Sequence, residues 1–147
     1  MAYKWVASDA QIQTFLQGTS IIIGDDISSA DAQTFENHAV DQIENYLAPG
    51  WTVAFPTPVS ADLQLIAAKL VVAVIGTSRL GVSQGQFMAE LADRYKTEVE
   101  AELRSKILNH PHITITGPTK KALPHRARAI ASMTKLHFPD GVADILR

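Results

Sequence analysis

Cysteine is absent from this chain of 147 residues, which excludes a disulfide framework, a thiolate metal site and a cysteine nucleophile together. Long apolar runs are missing too. The most hydrophobic stretch, Leu63 to Ile75, is interrupted by Gln64 and Lys69 and falls short of the roughly 20 residues that a membrane-spanning helix needs. The opening MAYKWVASDAQIQ lacks the apolar region of a secretory leader. These absences lead us to expect a soluble protein made in the cytoplasm, with no membrane partner.

The usual chemical motifs are also lacking. Gly81-Val-Ser-Gln-Gly85 has neither the lysine nor the Ser/Thr of a phosphate-binding loop, and no dinucleotide fingerprint occurs. No Gly-x-Ser-x-Gly nucleophile elbow is found. Asp25, Asp26 and Asp31 lack the alternating oxygen ligands and distal Glu of a calcium loop, so turn and cap roles are expected for them. Five histidines are present, His38, His110, His112, His125 and His137, and the closest pair, His110-Pro111-His112, has no third ligand at a recognised spacing. The expectation is a chain that is not an enzyme, with no catalytic residue, cofactor or metal.

What is present suits a globular body: 46% of residues are hydrophobic and 19% charged. A chain of this length buries roughly two-thirds of its unfolded surface. Residues 1–117 carry 7 Lys+Arg against 13 Asp+Glu, and residues 118–147 carry 6 against 2. An acidic body with a basic tail is the pattern either of a contact with an oppositely charged surface or of an ordinary solvated tail.

Hydrophobic spacing predicts four helices. The first starts at Ser8, with Gln11 placed as in a capping box, and ends near Gly18. Gly18 to Ala30 reads as a loop around the turn Gly24-Asp25-Asp26. The second helix runs from Ser28 or Ser29 to about Leu47, with Ala32, Phe35, Ala39, Ile43, Tyr46 and Leu47 as its stripe, and Pro49-Gly50 stops it. An extended linker carrying Trp51, Val53 and Phe55 leads through Pro56 and Pro58 to a third helix capped by Ser60. That helix is apolar around nearly its whole circumference, so it should be the most buried.

The fourth, long amphipathic helix spans about Ser83 to Leu108. Its outer face carries Glu90 with Arg94, Glu100 with Arg104 and Glu102 with Lys106 at i,i+4 spacing, a solvated face. Its apolar residues Leu91, Tyr95, Val99, Leu103 and Ile107 recur every four residues, so the stripe drifts by about 40° per step. One end is then expected to meet the bundle and the other a neighbouring subunit or the tail.

Beyond Asn109 the pattern changes. His112 to Thr116 alternates with β-branched residues and predicts a short strand, with Ile113 and Ile115 available to pair between subunits. Pro118, Pro124 and Pro139 leave room in the tail for a short helix around His125 to Leu136. Ile130, Met133, Leu136 and Phe138 give it apolar anchors suited to ordering on a partner. The fold expected is mainly α: a helical domain over residues 1–108, then a strand and basic arm over 109–147.

The chain resembles the small helical head-tail connector proteins of tailed bacteriophages, the adaptor or head-completion proteins. The resemblance is carried by AVDQIENYLA (Ala39 to Ala48), Pro56 and Pro58, the apolar helix Leu63 to Ile75, and the Arg94-Tyr95 pair in the long helix. It covers roughly residues 8–108; residues 109–147 depart from the family pattern, in which many members end soon after the long helix. It implies a virion protein at the head–tail junction, made in the host cytoplasm. Such proteins form a homo-oligomeric ring, commonly of twelve copies, that docks beneath the portal protein and joins tail or neck proteins, while DNA passes through the channel without specific binding. No catalytic residue comes with it.

On this reading Lys120, Lys121, Arg126, Arg128, Ile130, Met133, Leu136 and Phe138 meet the portal or a neighbour, and Leu103, Ile107, Ile113 and Ile115 lie between subunits. The alternative is a small helical nucleic-acid-associated protein that holds the phosphate backbone through Lys120, Lys121, Arg126 and Arg128.

Overall fold

Short polar bonds at the chain's start set up the first two helices in the computed structural model, which describes residues 2–122. Helix α1 (Asp9–Thr14) begins with the Ala7 N–H donating to the Gln11 side chain at 2.7 Å, while Ser8 makes no side-chain cap bond. It ends sooner than its spacing predicts. Asp9 accepts from the Tyr3 hydroxyl and, at 2.7 Å, from the Ser29 hydroxyl, tying α1 to the start of α2 (Ser29–Leu47). Ser28 caps α2 by accepting from the Asp31 N–H at 3.1 Å, and the Ala48-Pro49-Gly50 turn ends it.

Helix α3 (Ala61–Thr77) follows the linker, and every residue from Leu70 to Ile75 is buried. It is surrounded: α1, α2, the short α4 (Arg79–Ser83) and α5 (Gln86–Leu108) all pack against it. The four expected helices are therefore α1, α2, α3 and α5, and α4 is one additional turn. No helix of the described residues is long and apolar enough to cross a membrane.

Helices α3 and α5 run antiparallel, as three contacts along their length record. Asp62 meets Lys106 at 3.0 Å, Lys69 lies 3.4 Å from Glu98 and 3.5 Å from Glu102, and Gly76 lies against Ala92. Two of the residues expected between subunits, Leu103 and Ile107, are fully buried within this one chain, as is Val99. The expected division of the stripe between bundle and neighbour is thus corrected. Taking Val99 as centre, Leu91 and Ile107 lie about 80° to either side, and α5 has neighbours on both flanks. Phe15, just after α1, meets Tyr95 edge-on at 5.6 Å, and Arg104 hydrogen-bonds the Tyr46 phenol of α2.

Asp62 gives a pH-dependent test of this register. Partial burial pushes its carboxyl upward, but hydrogen bonds from Ser60 and Lys106 and the charge of Lys106 outweigh it and hold it below the usual aspartate value. A depressed folded pKa contributes stability above the unfolded value near 3.8 and loses it as pH falls through the folded value. The Asp62 side chain is 57% exposed, so screening keeps the effect small. Asp62→Asn should cost no more than about 1 kcal/mol at neutral pH, and the stabilities of variant and parent should converge only below 3.8, as pH falls through the depressed folded value.

The predicted strand at 112–116 is also corrected. His110–His112 is a 3-10 turn, Ile113 is extended, and neither it nor Ile115 joins a ladder among the described residues. Their apolar side chains pack on their own chain instead: Ile115 is buried and Ile113 half-buried against the core. Pairing comes later. Gly117, at φ +112°, and Pro118 redirect the backbone, so that Thr52 N–H donates to Thr119 O at 2.8 Å and Lys121 N–H to Gly50 O at 2.8 Å.

A buried carboxylate closes the other side of the core. Glu36 of α2 has no exposed surface and accepts from the backbone N–H groups of Lys4, Trp5 and Val6 at 2.6, 3.0 and 2.7 Å. Three donors replace the water that such a charge loses on burial. They fix the N-terminal segment so that Trp5 stacks on Phe55 of the linker, ring centres 5.6 Å apart.

Candidate functional site

The surface features that point to contacts lie at the two ends of the bundle. One end holds the clasp between residues 50–52 and 119–121 together with the start of α3. The other holds the loop 18–27, the end of α3, α4 and the start of α5.

At the clasp, Trp51 is fully buried and His110 packs edge-on to it at 4.8 Å. His110 Nε2 lies 2.8 Å from the Gly50 carbonyl oxygen; that oxygen can only accept, so Nε2 carries the proton and donates. The close approach needs glycine. A Cβ at residue 50 would stand 2.7 Å from His110 Cδ2. Gly50→Ala should therefore displace the His110 ring, cost about 1–2 kcal/mol and speed amide exchange at Thr52 and Lys121, measurable by NMR.

Lys120 and Lys121 are exposed on this clasp, beside the buried Trp51. Arg126, Arg128, Ile130, Met133, Leu136 and Phe138 lie outside the described residues, as does the predicted helix around His125 to Leu136. Two large apolar side chains remain exposed toward this end: Val53 of the linker at 46% and Leu65 of α3 at 44%. Of the expected linker trio, Trp51 and Phe55 turn inward and only Val53 faces out.

At the opposite end, Ile22 is 51% exposed, Val82 70% and Phe87 53%. The Ser20 hydroxyl donates to the Gln84 side chain, and a Phe87 ring carbon would lie 3.1 Å from a Cβ at Gly18. These contacts join the loop to the start of α5. A cleft of about 270 Å³ lies between them, lined by Gly18, Thr19, Ser20, Gln84, Phe87 and Met88. Asp25 and Asp26 of the loop 18–27 and Glu90 of α5 are exposed.

Sequence reasoning passed over this end, although its signal was present. One step back along the four-residue stripe from Leu91 is Phe87. It points about 120° away from Val99, while Met88 points within about 20° of it. Met88 is accordingly buried and Phe87 faces out. The drifting stripe does leave an apolar residue outside the core, but at the start of α5 rather than at Leu103 and Ile107.

Among the described residues, no three His, Asp or Glu side chains stand together in a way that could hold a metal ion. A second cleft of about 250 Å³ runs between α3 and α5 over Ala73, Gly76, Ala89 and Ala92, with Asp93 and Lys96 on its rim. Comparison with protein-family models, with curated proteins and with solved structures finds no match to this chain.

Proposed function

We propose that this chain is a structural subunit of a tailed-phage virion, a head-tail connector that forms a ring between the portal and the tail. One observation carries the reading beyond the resemblance: among the described residues, the exposed large apolar side chains fall at two opposite ends, Ile22, Val82 and Phe87 at one and Val53 and Leu65 at the other. A ring is built from heterologous contacts, in which two different surfaces of each copy meet its two neighbours. A helical body with unlike apolar ends meets that requirement. Its acidic body, 7 Lys+Arg against 13 Asp+Glu over residues 1–117, suits a channel wall that repels passing DNA rather than gripping it. The basic arm then serves contact with portal, tail or neck proteins.

The exposure of Lys120 and Lys121 supports the second reading, phosphate-backbone binding, and one titration separates the two. DNA binding is followed against salt for the full chain and for a variant with Lys120, Lys121, Arg126 and Arg128 replaced by alanine. The connector reading expects weak binding that is the same in both. Tight, salt-sensitive binding that disappears with the four substitutions would establish the alternative.

A further inference from the structure

Residues 51–60, between the turn at Gly50 and the start of α3, contain no helix and one isolated bridge, at Trp51, so the path of this linker is set by what it touches. Both the N-terminal segment and the strap 117–121 touch it. We propose that the linker is a relay: freeing the strap, from which the rest of the arm continues, loosens the N-terminal segment at Lys4 to Val6, and the reverse.

The strap holds the linker on either side of Phe55. On one side Thr52 N–H donates to Thr119 O at 2.8 Å and Thr119 N–H donates to Thr52 Oγ1 at 2.9 Å, next to the bond from Lys121 N–H to Gly50 O. On the other, Gly117 approaches Pro56, whose Cδ would lie 3.8 Å from a Cβ at residue 117. Thr119, Lys120 and Lys121 are exposed, so main-chain bonds rather than buried side chains keep the strap in place. A segment held in this way opens at low cost. Gly117, at φ +112°, supplies the hinge, and the buried Ile115 just before it stays with the core.

Phe55 carries the coupling onward. It is buried, its N–H donates to the Glu44 carboxylate of α2, and its ring stacks on Trp5 with 5.6 Å between centres and 23° between planes. Trp5 and Val6 are in turn held by Glu36, which accepts from their N–H groups at 3.0 and 2.7 Å. Direct contacts therefore lead from Thr119 through Thr52 and Phe55 to Trp5. Coupling needs an element that both sites bias, and the linker around Phe55 is that element, since the strap fixes it at Thr52 and Pro56 and Trp5 fixes it at the ring. A partner that draws the arm outward is thereby felt at the N-terminal segment. The relay operates whichever partner the arm meets, so it stands apart from the connector reading.

The test is amide exchange followed by NMR in the full chain, under conditions where exchange reports opening equilibria. Thr119→Pro combined with Lys121→Pro removes two donors of the strap and leaves the linker, α2 and the N-terminal segment unchanged in sequence. Exchange at Thr52 should quicken, and at Trp5 and Val6 it should quicken at least about fivefold, while the amides of α3 from Leu70 to Ile75 keep their rates. Linkage is reciprocal. Trp5→Leu should accordingly speed exchange at Thr52 and Lys121 by a similar factor. Unchanged exchange at Trp5 and Val6 in the strap variant would overturn the proposal, as would a response in one direction only. An equal rise across α3 would overturn it too, because it reports a general loss of stability and not a relay.

Discussion

Replacing Glu36 with alanine should lower stability by about 3–5 kcal/mol, a large share of what holds a domain of this size together. The carboxylate is wholly buried and satisfies three backbone N–H groups, those of Lys4, Trp5 and Val6. Trp5 and Val6 are themselves buried, so removal leaves their donors without partners where water does not readily reach them. Each such donor costs about 1–3 kcal/mol. Glu36→Gln should be intermediate, because one oxygen still accepts while the amide nitrogen confronts a donor. Urea denaturation measures both variants, and near-ultraviolet circular dichroism should report loosening of the Trp5–Phe55 stack. A loss below about 1 kcal/mol in Glu36→Ala would show that the N-terminal segment is held by other means.

Gly76→Val should cost about 3 kcal/mol or more, and Gly76→Ala about 2 kcal/mol, for a reason opposite to ordinary helix propensity. In an open helix interior, glycine to alanine is a gain of about 1 kcal/mol. Here a Cβ at residue 76 would stand 2.2 Å from the Ala92 Cβ and 3.6 Å from Met88 Cε. Both atoms of the shorter contact are fixed to helix backbones, so no rotamer change relieves it and α3 and α5 must separate. The sign is therefore diagnostic. Ala92→Gly introduced beside Gly76→Ala should recover more than half of the loss, a coupling that a double-mutant cycle reads directly. Gly76→Ala stabilising the protein would mean that the two helices are not in this close contact.

How much of this was legible in the sequence depends on the kind of signal each feature leaves. Helices α2, α3 and α5 were readable because apolar periodicity, Ser28 and Ser60 at the starts, and Pro49-Gly50 at a stop agree with one another. The five residues of α4, Arg79–Ser83, are too few to show a period. Glu36 stands four residues after Ala32 and four before Val40, so its place on the buried face was readable. Its partners 30 to 32 residues upstream were not, since backbone donors have no sequence signature.

The alternation at His112 to Thr116 had the period of a strand, but periodicity does not say whether a free edge lies beside it. The segment lies along the core, and among the described residues the backbone pairs with the 50–52 segment further on, at Thr119 and Lys121. For the candidate surfaces, Lys120 and Lys121 were recognisable by composition. The outward place of Phe87 was readable from the stripe of α5, but its meeting with the loop at Gly18 was not, because the two are 69 residues apart in the chain.

Electron microscopy of the full chain mixed with the portal protein that the proposal assigns as its partner tests the central proposal most directly. The proposal predicts a closed ring of this protein docked coaxially on the portal. Portal particles carrying no added ring at saturating concentrations of the chain would contradict it.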